Sequence, residues 1–188
     1  MTPIEALQAS IDALQSIVGD KPIADDQLGD PTPCQAFTVE HLGDHIIDTH
    51  NFLLSAAGGK PVDRGGSFAK RHAAVGAASV TQWTKRGTDG TVDLGGNELP
   101  AEFGLSLHVL ETYVHAWDLA LGLGRVFAPS AALTEMAWEV AQQIVSDDAR
   151  GDSDDAPYGR AVKAGKTADP IERLIDHTGR DPRNPLGR

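Results

Sequence analysis

The stretch from Ala101 to Leu123 limits this chain more than any other segment. On a helical projection of about 100° per residue, Phe103, Leu107, Leu110, Val114, Trp117 and Leu121 fall on one side. Leu105, Val109, Ala116, Leu119 and Leu123 occupy much of the opposite side. A helix that is apolar on two sides has to be largely buried, so the rest of the chain must enclose it. Between those surfaces runs one narrow band of His108, Glu111, His115 and Asp118, spaced 3, 4 and 3 apart. The band includes every charged or imidazole side chain from Phe103 to Gly124.

Burying two carboxylates is expensive unless something positive neutralises them, and this helix offers no Lys or Arg beside them. A divalent cation would serve. Glu111 and His115 sit one turn apart, so their side chains can converge on one ion, as inward residues of facing helices do in helical metal proteins. The complementary ligand comes from a second predicted helix, from the N-cap candidate Thr38 to about Ala57, ended by Gly58-Gly59 and Pro61. Its inward face carries Leu42, Ile46, Thr49 and Leu53, with His45 among them. His41 shares a solvated side with Asp44 and Asp48, and His50 lies at the border of the apolar stripe. His45 is therefore the best candidate to meet Glu111 and His115 across the bundle at a divalent cation. On geometry alone a hydrogen-bonded core histidine stays an alternative, because Glu-x-x-x-His is common in helices by chance. Asp118 and His108 read as further ligands, as partners fixing an imidazole tautomer, or as a surface pair, and the tautomer-fixing role suits Asp118.

The remaining segments point to the same architecture. Ile4, Leu7, Ile11, Leu14 and Val18 recur at steps of three and four behind Pro3, which suits a first helical turn. Gly19 to Pro33 is a long loop leading into Cys34, the single cysteine. Cys34 reads as a small buried hydrophobe, with a thiolate ligand as the alternative. An Ala-rich helix is expected from Phe68 to Lys85, a loop with a brief hairpin from Thr88 to Pro100, and a fifth helix from Ser130 to Asp147. Arg125, just past Gly124, is placed for the dipole of the fourth helix. Trp83, Trp117, Trp138 and Phe52 are expected in the core. An acidic stretch of about 146–156, with Asp147, Asp148, Asp152, Asp154 and Asp155, reads as a mobile solvated loop and lacks EF-hand spacing. A short helix from Asp169 to His177 precedes an extended tail of about 179–188. Four long helices with short accessory ones predict an all-α bundle, and 188 residues suit one domain spanning 1–188.

A formal charge of −11 opposes nucleic acid as a partner, and no apolar run approaches the roughly 20 residues needed to span a bilayer. The opening Met1-Thr2-Pro3-Ile4-Glu5 lacks a basic, apolar leader. The expected location is the cytoplasm.

Two longer motifs add a family resemblance. Pro31-Thr32-Pro33-Cys34-Gln35-Ala36-Phe37-Thr38-Val39-Glu40-His41-Leu42-Gly43-Asp44-His45 and Glu111-Thr112-Tyr113-Val114-His115-Ala116-Trp117-Asp118-Leu119-Ala120 resemble signatures of actinobacterial relatives of the metal-binding domain of mycothiol-dependent maleylpyruvate isomerase. These belong to the DinB-like superfamily. Ala168-Asp169-Pro170-Ile171-Glu172-Arg173-Leu174 and Thr178-Gly179-Arg180-Asp181-Pro182 look like a single-domain branch of that group. Phe37 stands where the family usually has Trp. The resemblance implies a DinB-like four-helix bundle and metal ligation by His45, Glu111 and His115. Three protein ligands leave zinc an open position, as in catalytic sites. The implied activity is thiol transfer or thiol-assisted isomerisation, in which a low-molecular-weight thiol such as mycothiol attacks an electrophilic substrate. A metal-dependent hydrolase, with Asp118 assisting, is one rival. The other is a non-catalytic metal-binding or stress-response module, for which a homodimer is compatible.

Overall fold

The structure is a computed structural model that describes residues 1–19, 21–34, 37–62, 65–151, 156–163, 165 and 168–186. It is mostly helical: α1 spans Pro3–Val18, α2 Val39–Ala56, α3 Phe68–Arg86, α4 Ala101–Gly122, α5 Ala131–Ile144 and α6 Pro170–His177. Strands β1 (Thr91–Asp93) and β2 (Glu98–Pro100) form a small antiparallel hairpin, pairing Val92 with Leu99. Single 3-10 turns occur at Asp25–Gln27 and Asp147–Ala149.

Helix boundaries follow local chemistry. At α1 the Thr2 hydroxyl accepts from the Glu5 N–H at 3.3 Å while the Glu5 carboxylate accepts from the Thr2 N–H at 2.7 Å, a reciprocal cap ahead of Pro3. Thr38 caps α2 by accepting from His41 N–H. Asp169 and Glu172 repeat the reciprocal cap at α6. Helix α5 stops at Ile144, three residues short of the sequence expectation, because Val145 leaves helical geometry with ψ at 76°.

Helix α4 lies at the centre and packs against α1, α2 and α5, while α3 packs against α1 and α2. From Thr112 to Ala120 every residue of α4 is buried. That burial is what two apolar sides on one helix require. Trp83 and Trp117 are core residues, as expected, and Trp138 is half-buried. Phe52 corrects its expectation: it is 46% exposed, because it lies off the buried face formed by Leu42, Ile46, Leu53 and Leu54.

The ends of α4 and α6 share one device. Leu123 caps α4, Gly124 takes a left-handed φ of 60°, and the N–H groups of Gly124 and Arg125 return to the carbonyls of Leu121 and Ala120. Thr178, Gly179 (φ 87°) and Arg180 repeat the pattern, with Gly179 and Arg180 returning to Asp176 and Ile175. Both are Schellman caps, in which glycine avoids the Cβ penalty of the left-handed turn. In each, the following arginine is turned back toward the body of the protein. Arg125 does not serve the α4 carbonyls through its side chain. Its guanidinium donates to the carbonyls of Ile17, Lys21 and Pro22, at the end of α1.

Within the acidic stretch, Gly151 N–H donates to Tyr158 O at 3.0 Å and Tyr158 N–H donates to Ala149 O at 3.1 Å. Asp152, Asp154 and Asp155 lie outside the described residues. Among the described residues no helix is long and apolar enough to cross a membrane.

Candidate metal centre

The band on α4 meets α2 near the start of the latter. His45 Nε2 lies 3.2 Å from His115 Nε2, and His115 Nε2 lies 3.3 Å from Glu111 Oε2. One ligand atom from each of the three side chains falls within 4.8 Å of the other two. Two donors each about 2.0–2.1 Å from a tetrahedral zinc are roughly 3.4 Å apart, so the observed spacings suit a shared ion.

The donor chemistry agrees with the distances. His115 Nδ1 lies 3.0 Å from Asp118 Oδ2 and donates to it, which leaves the Nε2 lone pair facing His45 and Glu111. A carboxylate behind a ligand imidazole fixes the tautomer and raises its basicity. Burial opposes charge on His115, but hydrogen bonds to Asp118 and Glu111 outweigh it and hold its pKa above the ordinary imidazole value. A proton and a divalent cation compete for the same nitrogen. For His45, burial comes first and the neighbouring His115 second in pushing the pKa down, against Glu111. Burial would raise the Glu111 pKa, yet His115, Tyr158 and Arg180 together bring it below the usual carboxylate range.

Two supporting side chains come from outside the helices that carry the trio. The Tyr158 hydroxyl donates to Glu111 Oε1 at 2.9 Å, occupying one oxygen while Oε2 faces His115. Arg180 grips Asp118 through Nε, at 2.9 Å from Oδ1, and Nη2, at 2.8 Å from Oδ2. Asp118 has no exposed surface. Desolvation would raise its pKa, but Arg180 and His115 hold it below the usual range. The charge argument from α4 alone is thus corrected in part, because Arg180 neutralises the buried Asp118, while Glu111, whose side chain is 21% exposed, is only partly buried and is the carboxylate left facing the imidazoles.

The approach to α2 shapes the other wall. Thr32 N–H donates to Phe37 O, the Thr32 hydroxyl lies 2.8 Å from the same oxygen, and Phe37 N–H donates to Cys34 O at 2.8 Å. This closed turn presents two side chains to the site. The Phe37 ring stacks on His45 at 4.9 Å between centroids. Cys34, half-buried, lies where its sulfur, one His115 nitrogen and one Asp118 oxygen are within 4.8 Å of one another. Asp118 is already held by Arg180 and His115, so the trio of His45, Glu111 and His115 offers the less committed donors.

His108 falls elsewhere. It is fully buried, accepts from Trp83 Nε1–H at 3.2 Å and packs edge-on against His50, so it belongs to a separate cluster below the trio. His50, placed at a stripe border by its sequence position, is 1% exposed. Tyr158 carried no sequence signal, because nothing periodic marks a residue in an irregular loop. Arg180 did have one, the Gly179 helix stop immediately before it.

Two uncharacterized proteins of Mycobacterium tuberculosis, from strains CDC 1551 / Oshkosh and ATCC 25618 / H37Rv, are similar to this chain along nearly its whole length. Each is 27% identical over 185 residues, covering 96% of this chain and 98% of the relative. No family model matches the chain, and no solved structure matches it.

Proposed function

We propose that this chain is a DinB-like four-helix-bundle protein that binds one divalent metal, zinc in the first instance, through His45, Glu111 and His115. The observation that carries the reading is the convergence of two imidazole nitrogens and a carboxylate oxygen within 4.8 Å, with the far nitrogen of His115 backed by Asp118 at 3.0 Å. Zinc held by three protein ligands supplies Lewis acidity and lowers the pKa of a coordinated thiol or water. The activity we assign is cytoplasmic transfer or isomerisation using a low-molecular-weight thiol of the mycothiol type and an electrophilic substrate. In that reaction Tyr158 and Asp118 hold Glu111 and His115 in orientation, Arg180 keeps Asp118 ionised, and Phe37 shields one face of His45.

The test has two parts. Protein purified without an affinity tag should carry close to one zinc per chain by elemental analysis, and His115→Ala should abolish that occupancy. Metal-loaded protein should then conjugate an electrophilic dye only when a low-molecular-weight thiol is supplied. An unchanged metal affinity in His115→Ala overturns the site, and turnover without thiol favours hydrolysis.

A second reading rests on Cys34. Its sulfur groups within 4.8 Å with His115 and Asp118 rather than with His45 and Glu111, and a shift that brought it onto the ion would close the coordination shell and make the centre structural. Cys34→Ser separates the two readings: a structural centre loses metal affinity on this change, whereas an open one keeps it.

A further inference from the structure

Below the candidate metal centre, three imidazoles from three helices meet in the core. His50 of α2, His72 of α3 and His108 of α4 are 1%, 0% and 0% exposed. The His50 ring lies 5.3 Å from that of His72 and 4.7 Å from that of His108. Each ring uses one nitrogen. His50 Nε2 meets Thr112 Oγ1 at 3.1 Å, His72 Nδ1 meets Gln15 Oε1 at 2.8 Å, and His108 Nδ1 meets Trp83 Nε1 at 3.2 Å. The other nitrogens, His50 Nδ1, His72 Nε2 and His108 Nε2, are buried without a hydrogen-bond partner. Orphaned polar atoms of this kind are rare in native cores.

The partners decide which nitrogens carry protons. An indole N–H can only donate, so His108 Nδ1 accepts and its Nε2 bears hydrogen. The Thr112 hydroxyl gives its proton to His108 O at 2.7 Å, so it accepts from His50 Nε2–H and leaves His50 Nδ1 a bare lone pair. Gln15 Oε1 accepts from His72 Nδ1–H, which leaves a second lone pair on His72 Nε2. Two acceptors and one donor therefore await a partner. Reversing the Gln15 amide would give one acceptor and two donors.

We infer that His50, His72 and His108 bind one internal water molecule, which bridges α2, α3 and α4. Water donates twice and accepts twice, so it satisfies the trio with either orientation of Gln15. A metal ion fits worse, because it needs three lone pairs. Freeing His108 Nε2 would move its proton to Nδ1, against the Trp83 N–H. This trio is also not among the sets of described residues whose ligand atoms lie within 4.8 Å of one another. Protonating the rings is opposed by burial, which lowers the pKa of His72 to about 4 and that of His108 to about 3. The water ties α3 to the two helices that bear the candidate ligands, and it is independent of whether a metal binds above it.

Oxygen-17 relaxation dispersion of water on the wild-type protein should reveal a long-lived internal water, and His72→Phe should remove its contribution. Nitrogen-15 spectra of the imidazoles need no variant and should show His50 and His108 as Nε2–H tautomers. A diffraction map should hold a peak about 2.7–3.2 Å from all three nitrogens, without anomalous signal at the zinc edge. Absence of that peak, His108 as the Nδ1–H tautomer, or a second zinc retained in His115→Ala would each overturn the inference.

Discussion

Asp118 has no accessible surface, and its carboxylate is divided between the imidazole of His115 and the guanidinium of Arg180. Removing one partner of a buried pair leaves the other charge uncompensated, at a cost of roughly 3–5 kcal/mol. Arg180→Met should therefore lower the urea unfolding midpoint strongly, and Asp118→Asn in the same background should recover part of the loss. A wild-type midpoint for Arg180→Met would show that the pair is solvated in solution. The buried histidines give a prediction of opposite origin. The unfolded chain protonates His72 and His108 as pH falls through about 6.5, while the folded protein resists down to about 4 and about 3. Between those limits the unfolded state holds more protons, so stability must decline as pH drops. From pH 7 to pH 5 each should contribute a loss of about 2 kcal/mol, with His50 acting in the same direction. Denaturant titrations across that range check the slope, and His72→Phe should flatten it.

The two Schellman caps, at Gly124 and Gly179, allow a matched comparison between elements. A Cβ at Gly124 would meet nothing within 4 Å, whereas one at Gly179 would lie 2.6 Å from the Gly159 backbone. Gly124→Ala should cost only the left-handed penalty of about 1–2 kcal/mol. Gly179→Ala should cost more and should also weaken metal binding, by displacing Arg180 and the Tyr158 segment without altering a ligand. Calorimetric titration with zinc on both variants tests this, and equal losses in the two would contradict it. The same caps explain what the sequence could and could not disclose. Helices α1 to α4 follow from apolar spacing and from Pro3, Thr38, Gly58 and Gly124 at their ends, because those signals act locally. His45, Glu111 and His115 are legible since each occupies a helical register that periodicity resolves. Tyr158 is not, because a loop places it through a contact 47 residues away, and at Arg180 the Gly179 stop marks the turn without revealing a partner 62 residues away. Phe52 misled because its helix has more apolar residues than its buried face can hold.

At the level of the whole molecule, the candidate site joins α2 to α4 and then to segments beyond α5. A metal that binds only the folded chain should stabilise it by about 2.7 kcal/mol at a hundredfold excess over Kd. Adding a chelator to metal-loaded protein should lower Tm by the corresponding amount, and a Tm indifferent to chelation would argue against specific binding. The His45 to His115 contact spans 70 residues of chain, and the Arg180 to Asp118 contact spans 62. Closing such loops is entropically slow and comes after local helix formation. A chain with its helices formed but its ends not yet docked would hold Glu111 and His115 on one helix, with neither His45 nor Arg180 beside them. For the metal we propose, capture would then be a late event in folding, and occupancy would report that the chain has closed on itself.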